Sequence, residues 1–155
     1  ILPITGIICR PKMWTQDLID NPWLLGSPTF GGNPLCCAAA IATIKYMLEN
    51  DIPGVCAKKG EVLKAGLQSL ADKYPEIIQE VRGTGLMLAV EFRSCELGYE
   101  TSKGLFARKV MTAGTLVNAK TIRFEPTAVI SDQDIRDVIS RMDEALADTK
   151  KTYNL

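Results

Sequence analysis

The sequence predicts a mixed α/β to α+β fold for this chain of 155 residues, and three observations predict it. Residues 2–9 (LPITGIIC) are apolar on both alternating faces, the pattern of a strand buried inside a sheet. Asn33-Pro34 opens a helix that is apolar on nearly every side, which suits a helix lying between layers or domains. Residues 77–82 and 86–92 read as two strands joined at Gly83-Thr84-Gly85, with helical patterns around them. The architecture is therefore one buried strand and a connecting helix, then a short antiparallel sheet covered by helices.

The remaining elements follow in order. Residues 13–20 suit a short helix, and Pro22, Gly26, Pro28, Gly31 and Gly32 mark the loop after it. Asn33 is a favoured N-cap and Pro34 a favoured first helical residue, so the apolar helix runs from there to about Asn50. Asp51-Ile52-Pro53-Gly54 reads as a break. An amphipathic helix follows to about Tyr74, with Val55, Val62, Leu63, Leu67, Leu70 and Ala71 on one face. Beyond the hairpin come a weaker helix over 99–111 and two short β pieces, 115–118 and 121–124, the second ended by Pro126. Ser131 caps the last helix, in which Ile135, Val138, Ile139, Met142, Ala145 and Leu146 keep the 3–4 spacing.

Composition narrows the function. Lys plus Arg and Asp plus Glu balance at 18 each with no long run of one sign, so the clustered basic surface that neutralises phosphates is missing and nucleic acid is not an expected partner. The longest apolar run, residues 35–44, is too short to cross a bilayer and ends in Lys45. The cysteines (Cys9, Cys36, Cys37, Cys56, Cys95) are odd in number and form no C-x-x-C pair; free thiols in a reducing cytoplasm are expected. Histidine is absent, which removes every Ser-His-Asp or Cys-His arrangement and the commonest metal ligand; no metal site is expected. The chain opens Ile1-Leu2-Pro3 within an apolar stretch, with neither a Met nor a signal pattern, and further sequence upstream is expected.

The segment with most chemistry is Thr29-Phe30-Gly31-Gly32-Asn33-Pro34, set directly before a helix. Glycines allow close backbone approach, and a helix N-terminus offers unpaired N–H donors and partial positive charge. With the Thr29 hydroxyl this makes an anion site suited to phosphate. On spacing alone, a turn that merely caps a helix explains it better. Arg123, in Ile122-Arg123-Phe124, reads by itself as a surface or ion-paired arginine. Arg82 suits a structural pair near the hairpin turn, and Ser131-Asp132-Gln133-Asp134 suits a helix cap.

Three segments in order resemble one family. Ser27-Pro28-Thr29-Phe30-Gly31-Gly32-Asn33-Pro34-Leu35-Cys36-Cys37-Ala38-Ala39-Ala40 is similar to a signature of class III aminotransferases, which are fold type I pyridoxal-phosphate enzymes. The resemblance continues through Val81-Arg82-Gly83-Thr84-Gly85-Leu86-Met87-Leu88-Ala89-Val90-Glu91 and through Thr121-Ile122-Arg123-Phe124-Glu125-Pro126. Within the family, Leu97-Gly98-Tyr99, Ala113-Gly114-Thr115-Leu116 and residues 118–123 look most like putrescine aminotransferases.

The resemblance implies that residues 1–52 are the end of a large cofactor-binding domain, with phosphate loop and interdomain helix, and that 53–155 are the C-terminal small domain. It implies pyridoxal 5′-phosphate as cofactor, with Thr29 bonding its phosphate across the interface of a homodimer. It implies that Arg123 anchors a substrate carboxylate, that of a 2-oxo acid such as 2-oxoglutarate. The planar guanidinium fork gives a carboxylate two parallel hydrogen bonds. The amino donor is a primary amine, a diamine such as putrescine or an ω-amino acid. Pro28 departs from the Ser or Thr that relatives often carry there, removing a hydroxyl and an N–H. Lys45, Lys58, Lys59, Lys64, Lys103, Lys109 and Lys120 match no family lysine, so the lysine that bonds the cofactor is expected upstream of Ile1 and the chain alone is expected to be inactive. Two other readings compete: a non-catalytic fragment that only folds, dimerises or binds an anion, and a class III relative such as an aminomutase or racemase.

Overall fold

The computed structural model describes residues 2–22, 31–115, 118 and 120–155. They form two units, Ile1–Asn50 and Asp51–Leu155.

In the first unit, residues 2–10 take no regular secondary structure and are exposed, so the expected buried strand is not formed. A strand needs a neighbour's ladder for its N–H and C=O groups, and the described residues of this unit contain no other strand. A 3-10 turn, Pro11–Met13, leads to α1 (Gln16–Asp20), capped by Thr15, whose side chain accepts from the Leu18 amide at 3.4 Å. α2 (Pro34–Glu49) begins and ends where the sequence predicts. Its expected burial does not follow: no α2 residue is buried, and Leu35 and Leu48 are 65% and 76% exposed. An all-round apolar helix hides its surface only when neighbours cover several sides, and none of the described elements of its own unit does so.

The second unit opens with α3 (Ile52–Lys73). Asp51 caps it, its carboxylate accepting from the Gly54 amide at 3.3 Å, and Pro53 sits in the first turn, where no N–H is needed. The expected break at 51–54 is thus a helix start. Leu63, Leu67 and Leu70 are buried, whereas Val62, expected on the same face, is 54% exposed. β1 (Ile78–Thr84) and β2 (Met87–Phe92) pair antiparallel with Thr84 opposite Met87, so the connecting loop is Gly85-Leu86 rather than Gly83-Thr84-Gly85. Gly85 takes φ +53°, which glycine adopts without strain.

α4 (Cys95–Ala107) starts four residues before its expected position because Ser94 caps it, accepting from the Leu97 amide at 3.3 Å. β3 is Ala113–Gly114 rather than 115–118. At 115–118 the described residues make a side-chain turn instead: the Thr115 hydroxyl donates to the Asn118 carbonyl and accepts from the Asn118 amide. β4 (Thr121–Phe124) and α5 (Asp132–Tyr153) match expectation, and Ser131 caps α5 by accepting from the Asp134 amide at 3.0 Å.

The four strands are antiparallel in the order β1-β2-β4-β3. Register places Val81, Val90 and Ile122 in one row and Leu88 opposite Phe124, all buried. This face packs on α3 and α4, with α5 behind, where Leu67, Leu105, Ile135, Met142 and Leu146 are fully covered. The adjacent row reads Arg82, Ala89, Arg123, Ala113 across all four strands and lies on the sheet's other face.

Candidate functional site

Backbone alternation in β4 turns Ile122 and Phe124 into the core and Arg123 outward. The Arg123 Nε donates to the Gly114 carbonyl of β3 at 3.3 Å, and Nη1 lies 3.4 Å from Glu125 Oε1. Both contacts are longer than the ~2.7–2.9 Å of a firm charge-assisted bond. The Arg123 and Glu125 side chains stay 44% and 41% exposed. Such a pair leaves the guanidinium open to a better acceptor. Arg123 and Glu125 also line a cavity of about 390 Å³, walled by the apolar side chains of Leu63, Val110, Phe124 and Val138. Ile130, another lining residue, is tied to α3 by Lys59, whose ammonium donates to the Ile130 carbonyl at 2.5 Å and to the Ala128 carbonyl at 3.2 Å.

Arg82 is held differently. It bonds Glu91 at 2.6 Å across the hairpin and Glu80 at 2.9 Å, and the Glu91 carboxylate, foremost, raises its already high pKa. This is the structural pair expected, and it keeps Arg82 occupied.

Thr29 falls outside the described residues, together with Ser27, Pro28 and Phe30. The described part of the loop modifies the anion-site expectation. Asn33 Oδ1 accepts from the Leu35 and Cys36 amides at 3.0 and 3.2 Å, and Pro34 has no N–H, so the first helix donors are already satisfied. Gly32 takes φ +68°, and a Cβ placed there would meet nothing within 4 Å, so the loop is open on that side. Position 29 falls within the span of the first unit and Arg123 in the second.

Several sequence lysines are occupied structurally: Lys64 donates to the Gly83 carbonyl at 3.0 Å and Lys103 pairs with Glu100 at 3.2 Å, while Lys45 and Lys58 are exposed. Glu125 is the site residue that sequence reasoning passed over. The signal was available, since strand residues two apart share a side and Glu125 stands two beyond Arg123. The apolar lining, drawn from α3, β4 and α5, had no such signal.

No helix of the described residues is long and apolar enough to cross a membrane. Among solved structures, the chain is similar to a lysine aminotransferase from M. tuberculosis (26% identity, TM-score 0.75, covering 86% of this chain and 31% of that one). It is similar also to an ornithine aminotransferase from Toxoplasma gondii with partial occupancy of pyridoxal phosphate at its active site (25%, 0.75, covering 83% and 30%). An acetylornithine aminotransferase from Elizabethkingia anophelis shares the fold (24%, 0.72, covering 79% and 32%). The chain thus spans about a third of the length of the structures it matches. The model of the family "Aminotransferase class-III" matches residues 2–146. With three motifs in order, the small antiparallel sheet under its helices and this match over nearly the whole sequence, the chain belongs to the class III aminotransferases.

Proposed function

We propose that this chain is part of an enzyme that moves an amino group from a primary amine to a 2-oxo acid such as 2-oxoglutarate. The donor is a diamine such as putrescine or an ω-amino acid. The observation that supports this reading most is Arg123, whose guanidinium is loosely held and which is among the residues lining a largely apolar cavity, a combination suited to a carboxylate at the end of a carbon chain. Family membership supports it, as do relatives named for ornithine and lysine.

Pyridoxal 5′-phosphate is the cofactor we assign, and when bound it stores the amino group between the two halves of the reaction. The residues present suit its phosphate: an open loop at Gly32, and the Thr29 hydroxyl three residues before it. Because Asn33 already satisfies the first α2 amides, the contact on this chain rests on Thr29 rather than on the helix end. Thr29 would serve the partner subunit's site in a homodimer, and the uncovered apolar surface of α2 in its own unit suits such an assembly.

Two substitutions test the reading on the cofactor-loaded enzyme. Arg123→Ala should raise KM for the 2-oxo acid by about tenfold or more, the worth of a charge-assisted carboxylate contact, and move KM for the amine far less. Equal effects on both substrates would rule out the acceptor-anchor role. Thr29→Ala should weaken cofactor retention, measured by equilibrium dialysis, and unchanged retention would remove Thr29 from the site.

A further inference from the structure

Arg123 lies in the cross-strand row Arg82, Ala89, Arg123, Ala113, on the sheet face away from the core. Its neighbours in that row are alanines on both sides, so packing does not wedge the long side chain and hydrogen bonds must orient it. The bond that sets its orientation comes from β3, where the Gly114 carbonyl accepts from Nε at 3.3 Å. A guanidinium has two edges that can grip a carboxylate, a lateral edge through Nε and one Nη, and a terminal edge through both Nη atoms. With Nε turned to a backbone carbonyl the lateral edge is spent, and the terminal edge remains. Nη1 also lies 3.4 Å from Glu125 Oε1, but the Nη atoms carry several N–H groups between them, so this contact does not exhaust that edge.

Ala113 decides whether the arrangement can form. It pairs directly with Arg123, and Gly114 is the next residue along β3. Direct pairing puts the two Cβ atoms about 5 Å apart on one face, so the Arg123 side chain reaches the Gly114 carbonyl past the Ala113 methyl. A branched or longer side chain at 113 would occupy that route and turn the guanidinium away from β3. Ala113 is itself exposed, so core packing does not demand its small size.

We propose that Ala113 is a positioning residue for Arg123. Its small side chain lets the Gly114 carbonyl hold Nε, which presents the terminal Nη1–Nη2 edge to the carboxylate of the 2-oxo acid. This rests on the acceptor-anchor reading of Arg123 above.

The test is a size series in the holoenzyme: Ala113→Gly, Ala113→Ser, Ala113→Val and Ala113→Leu, the last two also combined with Arg123→Ala. KM for 2-oxoglutarate should stay within about twofold in the Gly and Ser variants and rise about fivefold or more in the Val and Leu variants, the worth of one oriented hydrogen bond. KM for the amine and kcat should move little, whereas a general fault in the fold would lower kcat and the urea midpoint. In the Arg123→Ala background the same substitutions should leave KM for 2-oxoglutarate unaltered, because a residue that acts through Arg123 then has nothing to position. A flat series with Arg123 present, or an undiminished effect without it, would overturn the proposal. Position 113 is exposed, so the larger side chains meet no core, and either of the two folded variants decides the series. Should Arg123→Ala raise KM for 2-oxoglutarate while the series stays flat, the Ala113 assignment alone fails. Should Arg123→Ala leave that KM unchanged, the acceptor-anchor reading fails and the proposal falls with it.

Discussion

Asp143 shows how single contacts join distant parts of the second unit. Lys73, at the end of α3, bonds its carboxylate at 2.7 and 2.8 Å, and the Tyr74 hydroxyl donates to it at 2.8 Å. Lys73 foremost, and Tyr74 after it, hold the Asp143 carboxyl below its ordinary value, although partial burial opposes them. Burial, foremost, pushes the Tyr74 hydroxyl up. The signs differ at the two ends of the pH scale. A lowered carboxyl contributes stability that is complete above its ordinary value and is lost as pH falls through the lowered one; a raised tyrosine contributes stability that is lost as pH rises through the raised one. Urea unfolding across the acid range should therefore show a shallower loss of stability in Asp143→Asn than in wild type. Identical acid limbs would mean that the contact contributes nothing net, as many exposed pairs do.

At the scale of elements, the contact between α3 and the β1–β2 hairpin rests on absent side chains. A Cβ at Gly60 would stand 2.1 Å from the Gly85 carbonyl oxygen, a backbone atom unable to swing away. Gly60→Ala should push helix and hairpin apart, costing about 1–3 kcal/mol, as overpacking does, and read as a lower midpoint in denaturant. Unchanged stability would show that the hairpin shifts freely. The helix caps at Asn33 and Ser131 were legible in the sequence, whereas Asp51 and Ser94, equally short and polar, cap helices that the apolar pattern did not place there. The α4 start was missed because Leu97, Thr101 and Leu105 line its buried side with only two apolar residues, Thr101 bonding Thr149 at 3.1 Å within the core. A hydrophobic pattern does not register a buried hydroxyl pair.

For the molecule as a whole, the two units contrast in how they hold their apolar surface. The second encloses a continuous core between sheet and helices, whereas α2 of the first shows Leu35, Ile41, Ile44, Met47 and Leu48 at 40% exposure or more. If that surface forms part of a homodimer interface, light scattering should show a dimer at micromolar concentration, and Leu48→Glu should shift it toward monomer, because a buried unpaired charge is costly. A monomeric wild type would remove the partner's contribution from the proposed cofactor site.

The sequence by itself determined what depends on neighbours along the chain. Caps, the apolar stripes of α3 and α5, the glycine-bearing hairpin and the three family motifs are all local patterns, and they led to the fold class, the family and Arg123. The tertiary structure alone decided what depends on partners brought from elsewhere. Residues 2–10 lack a strand because a ladder requires another strand. The apolar cavity lined by Arg123 and Glu125 exists because α3 meets β4 and α5 there, Leu63 lying about 60 residues before Phe124 in the chain.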